Sequence, residues 1–281
     1  MTGTNFQASG AVDPALESLL GFWADAGVDC FLLDEPLDRL AEGRLRLSAP
    51  AKALNAQTSV QPLVQPRLSP LAKPVDPQAL KDARRLASAA NSLEELEAAI
   101  AAFDGSPLKS QGARQAVFAR GDSKAPVMII GEAPGAEEDL QGQPFVGGAG
   151  KLLDRMLIAA GLADKVFITN TVFWRPPANR TPSLEEQAAC APFVERAIEL
   201  VEPKRLLLLG GAAAKSMLGR AEGILSLRGR WTEWRGADGQ PIPALPTLHP
   251  AFLLRQPGAK KQAWSDLLSL RSQLDRDGID A

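Results

Sequence analysis

Four short apolar runs in this 281-residue chain end on residues that can do chemistry or let a ligand come close. Val127–Ile130 runs into Gly131 and Glu132, Val166–Thr169 into Asn170, Leu206–Leu209 into Gly210-Gly211, and Ile242–Leu248 into His249. Runs of this kind read as strands, and an unbroken apolar one as a strand buried on both faces. Open parallel sheets bind ligands just outside the carboxyl ends of such strands. The groups gathered there are an acid, an amide that both donates and accepts hydrogen bonds, and an imidazole. His249 is the only histidine in the chain, so any step that needs one falls to it.

A long polar stretch follows Glu132. Pro134-Gly135 forces a turn, Glu137, Glu138 and Asp139 follow, and Pro144-Phe145 places an aromatic ring before Gly147-Gly148. With an acid at its root and a ring at its far end, this loop is shaped like a pocket wall. Plainer readings exist for each residue. A phenylalanine after a proline is usually core, Asn170 could cap a turn, and the acidic trio reads as a solvated loop. A metal site is the weaker reading of that trio, because three contiguous acids do not offer several oxygen ligands in a fixed geometry.

The elements that must position these residues alternate in type. Helical spacing recurs over 150–160, 184–201, 211–218 and 259–274, between and after the strands. The expected fold is α/β, a three-layer α/β/α sandwich around a central four-stranded parallel sheet. Pro243 and Pro246 push the fourth strand to an edge or its ends. Upstream, Asp76-Pro77 opens a helix, and the capping box Ser92–Glu95 opens another that ends near Phe103. Asp13-Pro14 opens a helix with an apolar face of Leu16, Leu19, Leu20 and Trp23. Residues 49–78 hold six prolines among Ala, Ser and Gln, the texture of an extended linker. The expected organisation is therefore an N-terminal helical extension (1–48), a proline-rich linker (49–78) and a main domain (79–281).

Composition narrows the class. An apolar share of 45% with 23% charged residues is that of a soluble globular protein. No apolar run approaches the roughly 18 residues of a membrane span, and the first residues lack the pattern of a signal peptide. Two cysteines cannot build a disulfide framework, which fits a reducing cytoplasm. Residues 1–105 carry 9 basic and 14 acidic side chains, whereas residues 106–281 carry 22 and 19. The mild excess of positive charge in the second part favours an anionic partner.

Taken together, Gly131-Glu-Ala-Pro-Gly135, Gln143-Pro-Phe-Val-Gly147, Asn170, Arg175-Pro-Pro-Ala-Asn-Arg-Thr-Pro182 and His249-Pro-Ala-Phe-Leu-Leu-Arg255 resemble the motifs of the family 4 uracil-DNA glycosylases, in order and in spacing. The resemblance covers roughly residues 106 to 273. It implies an enzyme of DNA base-excision repair that flips uracil out of DNA and hydrolyses its N-glycosidic bond, leaving an abasic site. It further implies that Phe145 stacks on the flipped base, Asn170 reads its edge, and His249 donates to the oxygen that gains charge. Glu132 would orient water or balance the cationic sugar, Ala133 would help line the uracil site, and Glu138 would crowd the C5 edge. Arg175, Asn179 and Arg180 would hold phosphates, with Leu253, Leu254 and Arg255 as the wedge. The expected setting is a monomer acting on nucleoid DNA in the cytoplasm, with a protein partner possible for the N-terminal helix.

The chain departs from this family at one group of positions. The family holds an iron–sulfur cluster on four cysteines, and the matching positions here are Phe103, Ser106, Trp174 and Cys190. Such clusters are held by thiolates, so no cluster and no other metal is expected. Two other function classes remain. One is a catalytically silent DNA-binding or interaction protein on the same fold. The other is a nucleotide-phosphate binder, suggested by Gly147-Gly-Ala-Gly-Lys151. That run lacks the glycine of a phosphate loop at Phe145 and the Ser or Thr after its lysine, where Leu152 stands.

Overall fold

The apolar run at Val127 forms the interior of a sheet, because each of its residues finds a neighbour strand on both sides. The computed structural model describes residues 77–236 and 239–279, within the compact unit Leu68–Ala281. The helix expected at 13–26 and nearly all of the expected linker lie outside the described residues. In chain order the elements are α1 (Pro77–Ala89), α2 (Leu93–Ala102), α3 (Pro107–Ser110), β1 (Ala119–Gly121), β2 (Val127–Gly131), α4 (Ala136–Gln141) and α5 (Gly148–Ala159). Then come β3 (Val166–Asn170), α6 (Leu184–Val201), β4 (Arg205–Leu209), α7 (Gly210–Leu218), α8 (Ile224–Leu227), β5 (Thr232–Arg235), β6 (Pro241–Thr247), α9 (Pro250–Arg255) and α10 (Lys260–Arg276).

The sheet has six strands in the order β1-β3-β2-β4-β6-β5. The four expected strands form its parallel centre. Two short antiparallel strands, β1 against β3 and β5 against β6, close its edges. The sequence reading missed both, since strands of three and four residues carry too little alternation to be seen. The edge position considered for the fourth strand is not the one found: β6 lies between β4 and β5, inside the sheet, despite its prolines. The carbonyl of Pro246 accepts the N–H of Gly229, in the loop before β5. Its nitrogen, which carries no hydrogen, points the same way, past the end of β5, where no ladder bond is lost.

Alternation along the strands divides the core in two. Met128, Ile130, Leu206 and Leu208 face one cluster with α1, α2 and α6, whereas Val127, Ile129, Leu207 and Leu209 face another with α5 and α10. Local signals set the helix starts. Ser92 caps α2, accepting the Glu95 N–H, and Ser183 with Glu186 forms a reciprocal capping box on α6. The register decides where a site can form: Gly131 pairs with Asn170, and Leu209 with Thr247. The polar residues that follow the four apolar runs therefore emerge along one rim.

Candidate active site

The ends of β2 and β3 are locked together. The Thr171 N–H donates to the Gly131 carbonyl at 2.9 Å, and the Thr171 hydroxyl donates to the Glu132 carbonyl at 2.7 Å. Between these anchors Asn170 is 1% exposed, and its Oδ1 has no hydrogen-bond partner. A buried polar atom left unpaired costs about 1–3 kcal/mol, a cost that a ligand donor removes. Gly131 has to be glycine: a Cβ there would lie 2.4 Å from Asn170 Oδ1 and 2.5 Å from the Phe145 ring. The two side chains thus meet over the Cβ position of Gly131, at the end of β2. The Glu132 carboxylate has no hydrogen-bond partner among the described residues, and it stands half-buried at the rim.

The loop expected after Glu132 contains α4, which the sequence reading did not foresee. Of its acids Glu137 is exposed, but the other two are not a solvated loop. Glu138 turns back, with Oε1 accepting the N–H groups of Val146 and Gly147 and Oε2 that of Gly135. Asp139 is buried and accepts the Arg114 N–H. Glu138 therefore braces both ends of the loop while lining the cavity. Its carboxylate is held by the N–H groups just before α5 and puts a negative charge at the helix start, where a phosphate-binding helix would receive an anion. The nucleotide-phosphate reading of Gly147–Lys151 loses its anchor there. At the far end of the loop Phe145 takes a left-handed backbone, φ 56°, which costs a non-glycine residue about 1–3 kcal/mol unless its surroundings enforce it. The residue is 6% exposed.

His249 caps α9. Its Nδ1 accepts the Ala251 N–H at 3.1 Å, so the ring proton sits on Nε2. Although one side of the ring remains open to the cavity, burial among protein atoms lowers its pKa to about 4; nearby Arg255 lowers it too, against the pull of Glu138. At neutral pH it is a neutral donor. The strand leading to it is pinned by a buried carboxylate: Asp266 accepts the Thr247 hydroxyl at 2.7 Å and the guanidinium of Arg228. His249 and Phe145 face each other at a ring-centroid distance of 5.7 Å.

A cavity of about 440 Å³ joins these groups. It brings together Glu132, Ala133, Glu138, Phe145, Asn170 and His249, with Asn179, Arg180 and Arg255 at its mouth. It also includes Pro176, Thr181 and Phe252, which lie within the quoted motifs but were given no role of their own. Arg175, Leu253 and Leu254 do not line it. One expectation is corrected by what the side chain touches. Leu253 is fully buried against Leu152, Leu248 and Ala263, so it cannot enter DNA as a wedge; Leu254, 47% exposed, faces outward. The guanidinium of Arg180 closes on Glu186 with bonds of 2.8 and 2.6 Å and also reaches Gln111, which braces its loop, while the side chain stays exposed at the cavity. Arg175 Nε donates to Asn179 Oδ1 at 2.7 Å.

The positions matching the family's cluster ligands do not fit a cluster. Phe103 and Trp174 are buried with ring centroids 6.3 Å apart, and Phe193 lies 5.2 Å from Phe103. Neither ring offers a ligand atom. Ser106 is buried, with an unpartnered hydroxyl. Burial pushes the Cys190 thiol up to about 12, which makes it inert. Among the described residues, no three His, Cys, Asp or Glu side chains cluster in a way that could hold a metal ion. Nor is any described helix long and apolar enough to cross a membrane.

Residues 118–268 match the family model of the uracil DNA glycosylase superfamily. The chain is similar to the type-4 uracil-DNA glycosylase of Pyrobaculum aerophilum, 41% identical over 180 residues that span 62% of this chain and 91% of the relative. It is also similar to the type-4 uracil-DNA glycosylase of Saccharolobus solfataricus, 41% identical over 59% of this chain and 79% of the relative. That of Thermotoga maritima is 41% identical over 50% of this chain and 71% of the relative.

Proposed function

This chain belongs to the type-4 uracil-DNA glycosylases of the uracil DNA glycosylase superfamily, and from that premise we propose that it excises uracil from DNA by the residues gathered in its cavity. The observation that carries this reading is the unpartnered Oδ1 of Asn170, buried beside the Phe145 ring. An amide held there accepts from N3–H of a flipped uracil and donates to its O4, whereas cytosine presents an acceptor and a donor the other way round. Phe145 supplies the stacking face and Ala133 part of the wall. As the bond from the sugar carbon to N1 breaks, the pyrimidine leaves as an anion, and the Nε2–H of neutral His249 donates to its carbonyl oxygen. Water held by Glu132 adds to the sugar carbon, and the proton it gives up passes through the carboxylate to the departed pyrimidine anion. Glu138 both braces the loop and narrows the space where thymine carries a methyl group.

Arg175, Asn179 and Arg255 are the groups proposed to meet phosphates, which position the duplex without reading its sequence. Leu254 is the proposed wedge, and Arg180 holds the loop through Glu186. We propose that the protein carries no iron–sulfur cluster and that Phe103, Trp174 and Phe193 fill that volume by packing. Residues 79–281 are proposed as the catalytic unit, acting as a monomer on nucleoid DNA in the cytoplasm. The decisive assay incubates the purified chain with uracil-containing oligonucleotides and cleaves abasic sites with alkali. Strand cleavage dependent on both uracil and protein supports the reading. Tight DNA binding without cleavage would instead establish the silent binding protein.

A further inference from the structure

Phe145 reaches its place only through a backbone that a phenylalanine resists, so something must hold it there. Its neighbours are specific. Arg120, the middle residue of β1, donates from Nε to the Pro144 carbonyl at 2.9 Å and from Nη2 to the Phe145 carbonyl at 3.3 Å. The same Nη2 donates to Asp154 Oδ1 on α5 at 2.5 Å. On the other side, the Phe145 carbonyl lies 1.7 Å from where a Cβ on Gly150 would stand, so only glycine lets α5 approach it. The peptide is clamped between a guanidinium fork and a helix. β1 pairs with β3 so that Arg120 lies opposite Ile168, two residues before Asn170. One side chain thus ties the strand that carries the amide to the loop that carries the ring.

We infer that Arg120, anchored by Asp154, is a positioning residue that sets the Phe145 ring against Asn170 and thereby controls base stacking. The inference rests on the functional reading above. Arg120 touches no base; it acts by holding two carbonyls. Reacting groups misplaced by about 1 Å lose roughly 10²-fold in rate, even when the change lies away from the chemistry. Lysine cannot replace the fork, because its compact ammonium cannot span Pro144, Phe145 and Asp154 with fixed geometry.

The test is single-turnover uracil release by the full chain, with free-uracil inhibition and abasic-DNA affinity measured alongside. Arg120→Ala is expected to lower the maximal rate about 10- to 100-fold. Its inhibition by free uracil should weaken in parallel, with affinity for abasic DNA held within about 2-fold. Arg120→Lys should fall between Ala and wild type. A rate within about 3-fold of wild type overturns the inference. So does an equal loss of abasic-DNA affinity, which would make Arg120 a phosphate contact. If Arg120→Ala does not fold, Asp154→Ala removes the acceptor that anchors the guanidinium and should show the same split at smaller size; an unchanged rate there overturns the inference. If the wild type releases no uracil, the functional reading fails on its own. Free-uracil binding then decides, and equal affinity in wild type and Arg120→Ala overturns the positioning role.

Discussion

Phe145 and His249 face each other with ring centroids 5.7 Å apart and planes 31° from parallel. A flat base in contact with both faces would need about 7 Å, twice a carbon–carbon contact of about 3.5 Å. The base therefore does not slot between them. In the proposed complex the base would lie on the phenyl face and meet the imidazole at its edge, which would leave the His249 proton free for an oxygen. Phe145→Leu keeps an apolar side chain but removes the ring. Stacking on an aromatic is worth about 1–3 kcal/mol per base, so free-uracil inhibition should weaken by about 5- to 150-fold. An unchanged inhibition constant would remove Phe145 from the site.

His249 can be followed directly, because it is the only histidine. Its imidazole proton signals should titrate near 4, well below the ordinary 6.5, because burial favours the neutral form. With the folded value depressed, the stability it contributes is full above about pH 6.5 and is lost as the pH falls through about 4. The single-turnover rate should stay level from neutrality down to about pH 5, with no step at 6.5. His249→Ala should lower that rate roughly 10²- to 10³-fold. A loss of less than about 3-fold with weakened DNA binding would make His249 a binding group instead.

Asn170→Asp replaces the donor that meets O4 by a second acceptor. Uracil release should drop, and discrimination against cytosine should narrow, because the carboxylate can accept from the cytosine amino group. Paired oligonucleotides carrying uracil or cytosine at one position measure the ratio. A ratio equal to that of the wild type would show that Asn170 does not read the base.

Gly131→Ala introduces the Cβ that meets both Asn170 Oδ1 and the Phe145 ring. Both must move, so a rate loss of at least about 10²-fold is expected from one methyl group. Thermal unfolding shows whether the protein remains folded. A fully active Gly131→Ala would mean that the two groups do not act as drawn.

Purified without oxygen, the protein should be colourless and hold no iron; stoichiometric iron would overturn the proposal of a cluster-free enzyme. Packing must then do what a cluster does elsewhere in the family. Trp174→Ala should cost about 3–5 kcal/mol in denaturant unfolding, since the ring is fully buried in the aromatic group.

The sequence by itself determined the parallel centre of the sheet and the residues at its strand ends, because an unbroken apolar run followed by glycine or a polar residue has few other readings. Asn170 and His249 were legible for that reason. So was the misfit at Phe103, Ser106 and Trp174, which depends only on residue type. Only the tertiary structure decided the rest. Arg120 meets Phe145 across 25 residues and Asp154 across 34, through an edge strand too short to announce itself. Three adjacent residues, Leu253, Leu254 and Arg255, look alike as a wedge until α9 packs and turns the first inward. Arg180 was as basic as its neighbours until Glu186 came within reach. Local patterns fix which way a backbone runs, but the partner of a long side chain is set by elements distant in sequence, and that pairing exists only once the chain has folded.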